Sequence, residues 1–588
     1  MYQPPLKELQ FVMHQLVRDE QLVGLEGFED YSPDFADSVL EEAGKFAEEV
    51  LAPINRLGDQ KGAKWTPEGV VMPQEFKDAY AQFVEGGWPM LRARTEHGGQ
   101  GAPNILGTAI EELWASSNLA FKLCPMLSQG AVEAIEQCGS EEQKQRFLPK
   151  MISGEWTGTM VLTEPQAGSD LGAIRTRAVP EGDHYRLFGQ KIFITYGDHD
   201  YTPNTIHMVL ARIEGAPAGT KGISLFIVPK VLVNEDGSLG ERNDVRCVSI
   251  EHKLGIHASP TCVMSFGDQK GAVGYLVGEA NRGLEYMFIM MNAARLSVGL
   301  EGYAVGERAF QHALAYAKTR IQGRAGGKSA APGKGSPIAY HPDVKRMLLT
   351  MKANADAARA IALYAALQLD LARHHSDASA RAKYQARGDL LIPIVKAWST
   401  ESGVTMASTG IQVHGGMGFI EETGAAQYLR DVRITTIYEG TTGIQAADLV
   451  GRKVARDAGA AMNALIEDMQ AELGELADNS AAAALEGVKL LRDATAALLN
   501  YFREDAERGL AASVPYLTLC GVVIGSWLMA KSSAIASREM PNDPDFYRAK
   551  QQIVRAYMEQ ILPQAHALAR IVTQGSGSVV DADPALLG

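Results

Sequence analysis

The sequence predicts a mainly helical α+β chain in which one β-rich segment separates two long helical ones. Three observations carry this. Apolar residues recur at spacings of three and four up to about residue 155, and again from Gly283 onward. Between Trp156 and about Leu276, short alternating and β-branched runs are separated by Gly, Pro and Asp. Beyond Arg456 a further helical segment, rich in Ala and Leu, is long enough for a domain of its own. At 588 residues the chain can build several cores. The expected divisions are an N-terminal extension at 1–34, a helical domain at 35–155, a β-domain at 156–280, a helical bundle at 281–455 and an additional helical domain at 456–588.

The first helix starts near Phe35 and runs through Ala36, Val39, Leu40 and Ala43 into Phe46, Val50 and Leu51, with charges between them. A second follows Pro73 through Phe76, Ala79, Tyr80 and Phe83. A glycine-rich break over residues 96–103 separates these from helical patterns at 105–114 and 130–137, and Glu141 opens another that ends near Ile152. Strands are expected at 185–188, 191–195, 207–210 and 223–228. No helical pattern lies between them, so a small barrel or sandwich is expected rather than βαβ units. No strand–GxGxxG–helix unit occurs, which argues against a Rossmann dinucleotide site. Long helices are then expected at 284–317, 344–371 and 390–409, followed by 462–473, 481–502, 515–536 and 544–568.

The net charge of −14 opposes nucleic acid as the main partner, because phosphate backbones attract basic surfaces. The five cysteines, at 124, 138, 247, 262 and 520, show neither a CxxC pair nor metal-ligand spacing and read as reduced thiols of a cytoplasmic protein. His374-His375 and the scattered histidines lack ligand spacing as well, so no metal is expected. The start carries acids and no basic stretch leading into an apolar run, so no signal peptide is read. The most apolar stretch, 517–530, is too short to span a bilayer and reads as a buried helix. GRAGGKS at 323–329 has its first glycine one residue too close for a phosphate loop and no strand before it, so residues 323–337 read as a flexible surface loop.

The chemistry centres on residues 427–453, QYLRDVRITTIYEGTTGIQAADLVGRK. The β-branched run at 432–438 is expected to be extended or tightly turned, and Thr441-Thr442 can cap the helix that follows. Glu439 therefore stands where an extended segment meets a helix N-terminus. Such a carboxylate either complements the helix dipole or performs chemistry.

RDVRITTIYEGTTGIQ resembles the catalytic segment of the acyl-CoA dehydrogenases, flavoenzymes that desaturate an acyl thioester between its α and β carbons. Other motifs share the resemblance, in the family's order. VLTEPQAGSD at 161–170 is similar to the family's TEPxAGSD signature, and GQKIFIT at 189–195 to its GxKxWIT strand, with Phe193 where tryptophan is usual. Arg320-Ile321-Gln322 and QVHGGMG at 412–418 resemble the arginine and QxxGGxG elements. Here the family's phenylalanine after Gln322 is replaced by Gly323. In relatives that carry the base on the long helix, it precedes an arginine matching Arg295. In this chain that residue is Ala294, which leaves Glu439 as the one carboxylate at either family position.

The resemblance implies the family's fold, with a helical N-domain, a central β-barrel or sandwich and a C-terminal four-helix bundle, plus the appended helical domain. It implies FAD, lined by Met160, Leu162, Thr163, Gly168, Ser169, Phe193 and Thr195, with Arg320, Gln322, Gln412, Gly415, Gly416 and Thr441 on the rest of the cofactor, partly across a subunit boundary. Ser169, Asn292, Arg295, Tyr438 and Gly440 would face the acyl-CoA. Glu439 would take the α-proton while the β-hydrogen leaves as hydride, and the Glu439 N–H with a ribityl hydroxyl would polarise the thioester carbonyl. Electrons would pass to an electron-transfer flavoprotein, and the appended domain would complete a homodimer. Length, the YQPPLKELQFVMHQL start and the appended domain resemble the family's 3-methylmercaptopropionyl-CoA dehydrogenase group, whose members also include enzymes for medium- or long-chain thioesters. An acyl-CoA oxidase, discharging electrons to oxygen, and a non-enzymatic DNA-binding flavoprotein relative are the alternatives. The acidic excess beyond residue 456 speaks against the second.

Overall fold

The computed structural model describes residues 2–326, 335–476 and 478–588. The chain forms two compact units, each assembled from separate pieces of sequence.

One unit comprises residues 45–103 and 117–294. Its first strands, β1 (Lys64–Thr66) and β2 (Gly69–Val71), make an antiparallel hairpin that the sequence reading missed, since three-residue strands are too short to show alternation. The β-rich segment supplies β3 (Trp156–Val161), β4 (Arg177–Glu181), β5 (His184–Thr195), β6 (Asn204–Ile213), β7 (Ile223–Pro229), β8 (Val231–Val233), β9 (Leu239–Arg242), β10 (Val245–Ile250), β11 (Thr261–Phe266) and β12 (Ala272–Leu276). The runs expected at 185–188 and 191–195 are one strand, β5. β5 pairs with β12, β12 with β7 and β7 with β6, all antiparallel. β4 then joins β6 in parallel and β5 antiparallel, so these five strands close into a ring. β3 extends the sheet beside β6, and β11 with β10 extends it beside β5. The expected barrel or sandwich is thus a barrel with two extensions. Its core joins Trp156, Leu210, Ile223, Leu225 and Ile227 to Leu127, Ala131, Phe147 and Leu148 of the neighbouring helices.

Local chemistry sets the helix ends. Ser140 and Gln143 form a reciprocal capping box that starts the Glu141–Ile152 helix. The helical patterns at 105–114 and 130–137 belong to one run, Asn104–Cys138, broken at Asn118 (φ −159°, ψ 88°). The Asn118 side chain accepts from the Phe121 N–H at 3.1 Å, restarting the helix, and donates to the Leu51 carbonyl at 3.2 Å.

The other unit comprises residues 2–44, 104–116 and 295–588 and is almost wholly helical. The helices Gly283–Thr319, Pro342–His374 and Ala378–His414 contain the three expected long helices. Gly302 lets two of them touch backbone to backbone, since a Cβ there would lie 2.4 Å from the Thr400 Cα. Arg359, fully buried, bonds Glu112 (2.6 Å), Asp356 (3.0 Å) and Glu307 (3.3 Å). Asp356 also pairs with Lys550 at 3.0 Å, and Lys550 with Glu8. Of the later helices, the one expected at 544–568 is two, Pro544–Gln560 and Gln564–Gln574, parted at Pro563. The apolar stretch belongs to Ser513–Glu539, whose 27 residues are long and apolar enough to cross a membrane, correcting the expected shortness. That helix is nonetheless mostly buried within the fold, as read. His374 packs its ring on Phe28 at 4.2 Å and meets the Glu26 carbonyl at 2.7 Å. Of the loop expected at 323–337, residues 327–334, with the last three residues of GRAGGKS, lie outside the described residues.

Candidate active site

The run before Glu439 is helical rather than extended. The Ala425–Val432 helix tightens into a 3₁₀ turn at Arg433–Thr436, and the Ile437 and Tyr438 N–H groups both donate to the Ile434 carbonyl. A β-branched series misleads here because Thr435 satisfies itself locally, donating to the Val432 carbonyl at 2.7 Å. Glu439 then adopts a left-handed conformation (φ 56°), followed by Gly440 (φ 91°). Thr441 caps the next helix, as expected, by accepting from the Ile444 N–H. A glutamate held left-handed costs about 1–2 kcal/mol, and such strain persists where the surroundings over-determine it.

Those surroundings are specific. The buried Gln445 donates from Nε2 to the Glu439 carbonyl at 2.8 Å. The fully buried Lys396 donates from Nζ to the Gly440 carbonyl at 2.6 Å. Tyr438 spends its hydroxyl on the buried Glu301 carboxylate. Burial pushes the Glu439 carboxyl up to about 7, against the pull of the Arg295 and Lys396 cations, and Glu301 adds to the rise. The residue is half-buried, and its carboxyl is poorly solvated. Arg295 is buried and lies 3.5 Å from Asp448, so it serves an ion pair as well as the field at Glu439. Burial draws Lys396 down to about 8, opposed by Glu439 and Glu301.

In the other unit, Glu164 and Lys191 form a buried ion pair at 2.9 Å that joins the TEPQAGSD loop to β5. Glu164 also accepts from the N–H groups of Arg175 (2.6 Å) and Thr176 (3.0 Å), and Lys191 donates to the Leu162 carbonyl at 2.8 Å. Burial would raise the Glu164 carboxyl, but Lys191 and these donors hold it at about 2. The Ile192 N–H donates to the Thr163 carbonyl at 2.9 Å. Phe193 is left-handed (φ 59°) where the β5–β11 register slips, and its side chain stands 58% exposed. Thr195 ends the strand opposite Thr261. Leu162 and Thr163 are half-buried, Ser169 and Asn292 exposed, and Gly168 exposed with no atom within 4 Å of an added Cβ. Met160 is buried among the core residues.

Arg320 and Gln322 flank an antiparallel bridge to Pro337, with the Ile338 N–H donating to the Arg320 carbonyl at 2.8 Å, and both side chains are exposed. Gln412 ends the Ala378–His414 helix on an exposed turn, and Gly415 and Gly416 have open space where a Cβ would stand.

Sequence reading did not single out Lys396, Gln445, Glu301, Glu164 or Lys191 as site residues. Glu164 and Lys191 lie inside quoted motifs, and the signal was available there: one acid and one base in segments already expected together. Lys396 and Glu301 sit on long helices distant in sequence, where no spacing announces them.

Comparison with known proteins places this geometry. Family models match residues 34–155, 159–269 and 281–454, described as the N-terminal, middle and C-terminal domains of acyl-CoA dehydrogenase. Residues 458–583 match one described as acetyl-CoA dehydrogenase C-terminal like. The chain is 45% identical over 590 residues to a 3-methylmercaptopropionyl-CoA dehydrogenase of Ruegeria pomeroyi, covering 99% of each. It is 33% identical over 615 residues to the broad-specificity linear acyl-CoA dehydrogenase FadE5 of Mycobacterium tuberculosis, again 99% of each. Among solved structures, an acyl-CoA dehydrogenase of Bacillus anthracis complexed with FAD superposes with a TM-score of 0.74 at 20% identity, covering 98% of this chain and 93% of that one. The chain belongs to the acyl-CoA dehydrogenase family. It is an FAD-dependent oxidoreductase that desaturates an acyl-CoA thioester.

The residues present fit that cofactor. An exposed aromatic held in a strained conformation offers a face for a planar ring. An exposed guanidinium and a pair of uncrowded glycines offer charge and close approach for a diphosphate.

Proposed function

We propose that Glu439 is the base that removes the α-proton of the acyl-CoA. The observation that supports this is a carboxylate in a left-handed turn, brought to about 7 by burial beside two cations. A base near the operating pH is ionised often enough to accept a proton and basic enough to hold it. The α-proton of a thioester is weakly acidic, so the site must also polarise the carbonyl, a task suited to the Glu439 N–H. FAD, when bound, supplies the acceptor for the β-hydride. Phe193, Leu162, Thr163, Gly168, Ser169 and Thr195 would hold its ring, as would Met160, which is buried in the core. Arg320, Gln322, Gln412, Gly415 and Gly416 would hold its diphosphate and adenosine half, and Thr441 would complete the contacts. Asn292, Tyr438 and Gly440 face the thioester, and Arg295 tunes the base.

The substrate class is saturated acyl-CoA, with 3-methylmercaptopropionyl-CoA and linear medium- or long-chain thioesters first. Full-length similarity to the Ruegeria and Mycobacterium enzymes supports this choice. Electrons leave to an electron-transfer flavoprotein, the enzyme is a cytoplasmic homodimer, and the five-part division of the sequence corresponds to its domains, a reading supported by the extents of the matched families.

The test is anaerobic bleaching of the bound flavin by a panel of acyl-CoAs, on wild type and Glu439→Gln. One chain class should bleach the wild type rapidly, with the variant slower by about 10²–10⁴. Equal rates in the two proteins would remove Glu439 from the role. Rapid peroxide formation in air would point to an oxidase.

A further inference from the structure

We propose that Lys396 is a positioning residue for the reaction, fixing the Glu439-Gly440 turn through its bond to the Gly440 carbonyl and adding, beside Arg295, a positive charge that favours the ionised form of Glu439. This rests on Glu439 being the base.

Three observations carry it. Lys396 is fully buried on the Ala378–His414 helix, a costly place for an ammonium unless something holds it there. Its hydrogen bond, at 2.6 Å, goes to the carbonyl of the residue after Glu439. Gln445 holds the Glu439 carbonyl itself at 2.8 Å, so successive carbonyls of the strained turn are each gripped by a buried side chain. Two buried donors on two successive carbonyls over-determine a conformation that a glutamate would otherwise leave.

The charge balance points the same way. Arg295 and Glu301 of the Gly283–Thr319 helix and Lys396 of the Ala378–His414 helix act on Glu439, while Glu401 acts on Lys396 and Asp448 on Arg295. Arg295 shares its charge with Asp448 at 3.5 Å, and Glu401 accepts from the Thr442 hydroxyl at 2.6 Å. Glu301, bonded to Tyr438, works against ionisation of Glu439. Arg295 is the stronger opposing cation and Lys396 the second, and of the two only Lys396 also bonds the turn itself.

The experiment follows the rate of anaerobic flavin reduction across pH 5.5–9 in the FAD-loaded enzyme, for wild type, K396M, K396R and K396Q. With the charge removed, Glu439 should ionise at higher pH, so the acid limb of K396M should move up by about one unit, a tenfold loss of rate below it. K396R should recover most of that shift. A structural role alone would lower the rate at every pH and leave the limb in place. K396M that binds FAD normally yet keeps the wild-type limb would overturn the proposal. If K396M fails to fold or bind FAD, K396Q, polar but uncharged, decides it on the same criterion. Loss of activity in E439Q with an unmoved limb in K396M or K396Q would sink this inference alone. An active E439Q would remove the base assignment and this inference with it.

Discussion

Glu164 and Lys191 lie 2.9 Å apart, both buried, and between them tie the TEPQAGSD loop to β5. Removing one partner leaves a buried charge without compensation, which costs about 3–5 kcal/mol. K191M should therefore unfold at lower denaturant and lose FAD on gel filtration, while K191M with E164M together should recover stability. Chemical denaturation of the two variants checks this. A K191M protein as stable as wild type would mean the pair contributes nothing.

The same pair sets an acid limit. Glu164 is held at about 2 in the fold against an ordinary value of 4.5, so its contribution is present above 4.5 and is lost as pH falls toward 2. E164Q should show a flatter loss of stability over that window than wild type. Thermal unfolding at several pH values between 5 and 2.5 measures it.

Glu439 shows the opposite direction. Burial raises it from 4.5 to about 7, so a reaction that needs its ionised form should accelerate as pH rises through about 7. Single-turnover flavin reduction should show an acid limb there, absent from the residual rate of E439Q. A profile flat between 5.5 and 8 would contradict the assignment.

Phe193 combines an exposed ring with a left-handed backbone. F193A and F193G both remove the ring, and both should release FAD about tenfold more readily. They should differ in stability without flavin: glycine accepts this conformation freely, so F193G should exceed F193A by about 1 kcal/mol. Unfolding of the apoproteins tests the difference, and flavin dissociation tests the shared effect.

Gly521 lies against Trp398, and a Cβ there would come within 2.3 Å of the indole. G521A should cost about 1–3 kcal/mol by overpacking, seen as a lower denaturation midpoint. Flavin reduction by the folded fraction should be unchanged, because the clash lies in the packing of the Ser513–Glu539 helix.

Periodicity revealed the long helices because each buries a full stripe over many turns, and alternation revealed β5, β6 and β7 of the ring, though not the five-residue β4 and β12. What it missed was short or locally bonded. The β1–β2 hairpin has three residues a side. The Arg433–Thr436 turn reads as strand by its branched side chains and is 3₁₀ because a hydroxyl closes it from within. At the site, Glu439 and the loop at 161–170 were legible as motifs. Lys396 and Glu301 were not, since their significance lies in where two helices place them relative to one turn.

The bonds between the chain's beginning and its last helices bear on how it is made. Glu8 meets Lys550, Lys7 meets Asp543 at 2.7 Å, and Phe11 packs on Phe546 at 5.8 Å. On the ribosome, residues 6–17 emerge more than 500 residues before these partners. Their apolar face, Phe11, Val12, Met13 and Leu16, has to wait throughout synthesis for the other half of its packing. This segment is thus translated well before its packing can be finished. A chain cut short near residue 456 would leave that half of the segment's surface uncovered, a ready target for chaperones and proteases.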